Sequence, residues 1–504
     1  MTSRLSGGAR RRTVATALLI GTAVTGITPL AAAAQVTGPS TTRAPYYLPS
    51  AAGVETTSIL TVGESIGGYK LIGIPDGTGA YTNDDGTFSW LVNHEIPETF
   101  PGPGVARDHG AAGAFVSQWT INDDPNDLQV VEGDDLIKRV ATWNTATDSH
   151  NALARGVPIY RLCSADLPEL SAFYNRNSKL GYNGRIYLNG EEVGDEGRAF
   201  GHLLNGNSYE LPALGKFSWE NAVANPATRN RTVVIGLDDS TPGQVYVYVG
   251  KKSNKGNPVE RAGLTDGNLY GVKVAGVTDE SRATGIGGTS KPFSLHNFSN
   301  VSDWSGAQLQ ASSESAGVTE FLRPEDGAWD PNNPNDFYFV TTDRFDPNKA
   351  VNDSADGRSR LWRLSFENAK DPAAGGTITM LLDGTEPHQM LDNLTIDDYG
   401  HILIQEDPGN QAYLAKIWQY TIASDGLKLI AEANADYFTN QAGDDGDFIT
   451  TDEESSGIID ASHVLGAGWF LFDVQAHKRL GGELVEDGQL LALYNPDTAA
   501  AAGQ

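Results

Sequence analysis

Acidic residues recur in this chain at one kind of place, the end of a short run of strand formers. Asn93-His-Glu95, Asn189-Gly-Glu-Glu192, Gly236-Leu-Asp-Asp239 and Gln405-Glu-Asp407 each close such a run. If the runs line a common axis, Glu95, Glu191, Asp238 or Asp239, and Glu406 or Asp407 converge at one mouth of it. Converging carboxylates in a partly buried site cannot all stay ionised unless cations neutralise them. Calcium, which takes about six to eight oxygen ligands, suits such a set. A single acid after a strand is also a turn former; the recurrence at one position favours a shared site.

Other segments carry donor groups. In Leu322-Arg-Pro-Glu325 the Arg and Glu stand two apart, and in an extended segment residues i and i+2 share a face. A guanidinium beside a metal-binding carboxylate can hold the oxygens of an anionic substrate, although a structural ion pair in a turn fits equally. Asp392-Asn393 offers oxygen ligands or an Asx turn. Asp452-Glu-Glu454-Ser-Ser-Gly457 reads on its own as an acidic loop. Asp444-Asp-Gly-Asp447 lacks the spacing and terminal Glu of an EF-hand and reads as a solvated loop or at best a weak structural calcium site.

The elements that must position these groups are strands. Turns of Gly, Asp or Asn open into runs of β-branched and aromatic residues at 86–95, 184–192, 231–239, 335–343, 400–407 and 468–475. Most are followed by an alternating partner, such as Gln244–Val249, Arg360–Leu364, Lys416–Tyr420 and Gln489–Tyr494. A strand buried on both faces and an amphipathic neighbour, repeated some six times without long helical periodicity, predict an all-β fold, a β-propeller of about six blades with inserted loops. A β-sandwich with extra domains is the competing architecture.

Composition narrows the function classes. The 504 residues carry 36 Lys+Arg against 64 Asp+Glu, a net charge of -28, which argues against nucleic acid and anionic membranes as partners. One cysteine, Cys163, excludes an intramolecular disulfide framework and a cysteine-based zinc site. Arg10-Arg-Arg12, the mildly apolar stretch Thr13–Leu30 and Ala31–Ala34 make residues 1–34 a signal peptide. The consecutive arginines favour the twin-arginine route, which exports folded proteins. Residues 35–49 are expected as a linker, 50–495 as the propeller and 496–504 as a tail, in a monomer that is secreted or periplasmic.

Taken in order, Asn93-His-Glu95, Gly184–Glu192, Ala213-Leu-Gly-Lys-Phe-Ser-Trp-Glu220, Gly236–Asp239, Arg323-Pro-Glu325, Asp392-Asn393 and Glu454-Ser-Ser-Gly457 resemble the motifs of PhoX-type alkaline phosphatases over roughly residues 50–495. The resemblance implies a secreted propeller phosphomonoesterase with a calcium and iron cluster at its axis. It implies Glu95, Glu191, Glu220, Asp239, Glu325, Asp392 and Glu454 as metal ligands. Arg323, with Glu325, is implied as the catalytic contact to phosphate. The family's motif around Glu191 has an iron-ligating cysteine where this chain has Gly190, and Cys163, well upstream, is not assigned that role. Asp326 also replaces the aromatic expected after Arg-Pro-Glu. Calcium is therefore expected before iron.

The sequence reading is a metal-dependent hydrolase acting on a small phosphorylated substrate. A calcium-dependent lactonase or phytase-like enzyme, and a non-catalytic calcium-binding propeller with carboxylates scattered over separate loops, are the alternatives.

Overall fold

Six short strands follow one another around a closed ring: Pro75–Thr82, Leu162–Asp166, Trp219–Ala224, Pro324–Trp329, Leu391–Ile396 and Glu454–Asp460. They are the inner strands, first to sixth. The computed structural model describes residues 33–99, 101–349, 356–440 and 447–503. The expected signal peptide falls almost wholly outside them, as does most of Asp444–Asp447.

Each inner strand opens a run of antiparallel strands outward, and the third and fourth runs join where Ser290–Ser299 pairs with Gly376–Leu382. The first pairs with Thr87–His94, then Phe115–Asn122 and Val130–Asp135; the others pair in the same way with Ile186–Glu191, Arg231–Asp238, Asp336–Thr341, His401–Glu406 and Trp469–Gly481. The hydrophobic core is divided among the gaps between neighbouring sheets. Trp90, Trp119 and Leu490 fill one gap, Leu91, Tyr187 and Phe200 the next, and Val234, Tyr246 and Leu188 another. Phe337, Trp362 and Val247, Tyr338, Leu361 and Ile404, and Leu403, Phe472 and Leu491 fill the rest. Separate wedges of core between radial sheets are a propeller-like arrangement, not a sandwich, which has one core between two faces.

Two expectations change. The runs ending in acids are the second strand of each sheet. The innermost strands are the polar segments that read as loops and turns, because around a narrow axis their side chains meet one another instead of a hydrophobic layer. Residues 35–49, expected as a linker, are structural: Ala34–Thr37 pairs parallel with Glu55–Thr61 on the sixth sheet, and Tyr47–Pro49 completes the fifth. Tyr46 and Tyr47 are fully buried. Strands from near the N-terminus thus close sheets built from the C-terminal half. Of the tail, Pro496–Ala502 is a helix whose Thr498 hydroxyl donates to Asp397 Oδ2 at 2.6 Å.

Every inner strand carries a one-residue bulge at the corresponding place. The register breaks between Pro75 and Thr78, Leu162 and Ala165, Trp219 and Ala222, Pro324 and Gly327, Leu391 and Leu394, and Ser456 and Ile459. In each case two residues on the inner strand oppose one on its partner. Bulges re-aim side chains that simple alternation would send elsewhere.

Candidate metal centre

The bulged pairs are Asp76-Gly77, Cys163-Ser164, Glu220-Asn221, Glu325-Asp326, Asp392-Asn393 and Gly457-Ile458. In five of them the first residue offers a carboxylate or a thiol. The ligand atoms of Asp76, Glu95 and Cys163 lie within 4.8 Å of one another, as do those of Cys163, Glu192 and Glu220, and those of Glu220, Glu325 and Asp392. Cys163 and Glu220 each belong to two of these groups, so the three adjoin.

Four of the second residues, Ser164, Asn221, Asp326 and Asn393, form a polar layer beneath. Asn221 Nδ2 donates to Asp326 Oδ1 at 2.6 Å and to Ser164 Oγ at 3.3 Å. Asn393 Nδ2 donates to Ser164 Oγ at 3.3 Å and Glu220 Oε1 at 3.4 Å, and its Oδ1 accepts from Gly457 N at 3.0 Å. The bulge therefore sends one residue up into the cluster and the next into a layer that supports it.

Two arginines face the acids. Arg161 Nη2 lies 2.5 Å from both Glu95 Oε1 and Glu192 Oε2. Arg323 donates to Asp239 Oδ1 and Oδ2 at 2.8 and 3.0 Å and meets Glu325 Oε1 at 2.9 Å. Each stands just before an inner strand, in the left-handed region at φ 44° and 60°, a conformation uncommon outside glycine. Their side chains remain 42% and 27% exposed, so each guanidinium has an open side. A cavity of about 520 Å³ lined by Glu95, Arg161, Asp407, Glu454 and His477 forms the entrance.

These acids outnumber the cations near them. Burial first, and then the neighbouring carboxylates, push Asp76, Glu220, Glu325 and Asp392 well above the usual carboxylate range. Burial does the same to Glu192 although Arg161 opposes it, and lifts Glu454 to about 7. Burial also raises the Cys163 thiol. Asp239 alone is held low, where burial works upward but Arg323 outweighs it. Behind the cluster Asp473 is fully buried, and neither of its oxygens meets a donor among the described residues. Without cations such a set must take up protons; with cations it can stay charged. The donor set thus fits bound metal.

The residues expected from sequence divide clearly. Glu95, Glu220, Glu325 and Asp392 come together. Glu454 stands at the rim, accepting from Gln475 Nε2 at 3.1 Å with His477 Nε2 at 3.4 Å, and Asp239 sits behind Arg323. Glu191 does not join them. Its carboxylate turns away to Arg198, at 2.6 Å to both Nε and Nη2, and accepts from Tyr160 N. Glu192 takes the place at the cluster. The reason is the pleat: the last residue of this strand faces Arg198, and the next one reaches the axis, as Glu95 does after His94. Asp238 and Glu406 are likewise spent on local donors, Ser240 and Gln244 for the first, Gln389, Lys416 and Trp418 for the second.

Cys163 is a further correction. A side chain at Gly190 has no room, because a Cβ there would stand 2.4 Å from Trp219 Cβ. The second inner strand pairs with the strand that carries Gly190, Leu162 opposite Glu191, and so delivers the sulfur from a distant stretch of sequence. Asp76, Arg161 and His477 were also missed. A signal existed for several of these: an acid or thiol followed by Gly, Ser or Asn recurs at Asp76-Gly77, Cys163-Ser164, Glu220-Asn221 and Asp392-Asn393.

A family model described as alkaline phosphatase PhoX matches residues 202–457. No curated protein matches the chain. Among solved structures, PhoX from Pseudomonas fluorescens in complex with vanadate, a transition state analogue, is 12% identical, with 93% of this chain and 99% of that chain covered at a TM-score of 0.64. XC5397 of Xanthomonas campestris, a gluconolactonase, is 11% identical over 90% of this chain and 98% of that chain at a TM-score of 0.32.

Proposed function

This chain belongs to the alkaline phosphatase PhoX family and is a metal-dependent phosphoric monoester hydrolase; from that premise we propose that the bulge-borne cluster is its active centre. We read the six inner strands with their outward partners as six blades and the mouth with the acids as the substrate entrance. The observation that carries the proposal is the set of three adjoining ligand groups that share Cys163 and Glu220, with Arg323 and Arg161 at its edge.

Asp76, Glu95, Cys163, Glu192, Glu220, Glu325 and Asp392 would hold the cations, with Glu454 completing the rim. Bound there, cations supply Lewis-acid polarisation of the phosphoryl oxygens. Oxygen-only ligands at Glu220, Glu325 and Asp392 suit calcium, and a thiolate at Cys163 suits a softer transition metal such as iron. Iron is therefore better supported than the Gly190 position alone suggests. Arg323, fixed on one side by Asp239 and Glu325, presents its remaining donors to a small phosphorylated substrate and answers charge growing on the equatorial oxygens. Arg161, its counterpart two sheets earlier, is the second anion contact. Export through the twin-arginine route, supported by Arg10–Arg12, would let a loaded cluster form before the protein leaves the cytoplasm.

The test is elemental analysis of the purified protein beside p-nitrophenyl phosphate hydrolysis, for wild type, Cys163→Ser and Arg323→Ala. Arg323→Ala should keep the metals and lose most of its turnover. Cys163→Ser should lose the transition metal and any thiolate charge-transfer colour. A Cys163→Ser protein with unchanged metals removes the thiol from the centre, and wild-type turnover by Arg323→Ala removes that arginine.

A further inference from the structure

The inner strands have a second end. The C-terminal residues of the second to the sixth surround a cavity of about 300 Å³ at the mouth opposite the acids, near the lower limit for a small-molecule site. Val223, Trp329, Pro334, Ile396 and Ile458 supply apolar walls, and Pro168, Pro226 and Pro331 stiffen the rim. The floor is the polar layer already described, reached from below at Asn221 and Asp326. Asp166, the last residue of the second inner strand, lines the side.

Asp326 is answered, accepting from Asn221 Nδ2 at 2.6 Å and from Gly327 N and Leu394 N. Asp166 is not. One of its oxygens accepts from Ala224 N at 2.7 Å, and the other makes no hydrogen bond among the described residues. No Lys, Arg or His lines this cavity, while Glu169 and Asp330 add acid at its rim. Burial, and after it Asp326, pushes the Asp166 carboxyl up to about 7, so at pH 8.5 it is ionised without a cation beside it. Trp329 is 8% exposed and lines the cavity, and an aromatic ring attracts a cation.

We propose that this far mouth is a binding site for a small organic cation, an ammonium group on a compact apolar or aromatic body, with the ammonium at Asp166 and the body against Trp329 and the prolines. A bare inorganic cation would leave the apolar walls unused, and a neutral ligand would leave Asp166 unanswered. The site lies across the polar layer from the metal centre, and its occupant needs no phosphate.

The test titrates phenethylammonium into the metal-loaded full-length protein at pH 8.5 by calorimetry, so that the acids of the other mouth are already occupied. 2-Phenylethanol and phenylacetate serve as neutral and anionic matches. The ammonium should bind at least about tenfold tighter than the alcohol, and phenylacetate should not bind. Asp166→Asn should remove that preference while phosphatase activity stays near wild type. Ala328→Phe, which fills the cavity from the fourth inner strand, should abolish binding; if it fails to fold, Asp166→Asn decides alone. Equal binding of ammonium and alcohol, an unchanged affinity in Asp166→Asn, or no binding by any of the three overturns the proposal.

Discussion

The two mouths of the axis share five of the six inner strands, the second to the sixth, and differ in almost everything else. At one, the bulges present Asp76, Cys163, Glu220, Glu325 and Asp392, a set with far too little positive charge of its own. At the other, the same strands end in Val223, Trp329, Ile396 and Ile459 against proline-rich turns. The scaffold is indifferent to which end reacts. What separates them is a single inserted residue per strand, which in the second to the fifth turns a donor upward and its polar neighbour into the layer between the ends. Side chains at the far mouth should therefore carry stability without activity, whereas the acid mouth carries activity together with the stability its bound cations supply.

The largest effect should come from stripping cations. A strong chelator should lower phosphatase activity by about a thousandfold or more. It should also lower the thermal midpoint, since a ligand at a hundredfold excess over its Kd adds about 2.7 kcal/mol to the folded state. Restoring activity should require metal. Full activity in chelator would show that the acids at this mouth are ordinary surface charge.

The comparison sharpens at two consecutive residues. Glu192→Gln should cost about 10- to 100-fold in turnover or metal affinity, as loss of a metal-site partner does. Glu191→Gln should leave turnover within about threefold and remove about 1–3 kcal/mol of stability by weakening the Arg198 pair. Kinetics and urea denaturation on both variants decide the matter, and the reverse ranking would return Glu191 to the site.

Trp329→Ala tests the far mouth. Its indole packs against Phe337 and Phe366, and its removal should destabilise the fold by about 3–5 kcal/mol with turnover per folded molecule nearly unchanged. A large fall in turnover at wild-type stability would mean that the two ends are not separable.

The smallest effect is a pH dependence near the far end. The hydrogen bond to Asp397, 2.7 Å from His401 Nδ1, holds His401 above the ordinary histidine value. The pair therefore contributes fully below about pH 6.5 and fades as pH rises through the raised value. Compared with His401→Gln, the wild type should be more stable by about 0.5–1 kcal/mol at pH 5.5, and the gap should shrink by pH 9. A gap that is flat with pH would remove the ion pair from the account.

Much of this was legible in the sequence. Strand runs such as Arg231–Asp238 and His401–Glu406 announce themselves by composition, because each is buried on both faces between two core wedges. Arg323 and Glu325 stood out because a short motif holds both. The strong acidity and the acids after strands pointed to cations, and four of the expected ligands do meet. The inner strands were not legible, since Glu454–Asp460 or Pro324–Trp329 has no hydrophobic period to betray it. Nor could the sequence choose between Glu191 and Glu192, since the two differ only in which way the pleat turns them.

By itself, then, the sequence determined the all-β repeat, the surplus of carboxylates and the residue types available for metal and phosphate, because these follow from composition and short-range pattern. Only the tertiary structure decided which acids converge, and that Cys163 lies among them. Pairing across sheets and the six bulges bring together residues from Asp76 to Glu454, and that geometry is fixed by strand register, which no single segment encodes.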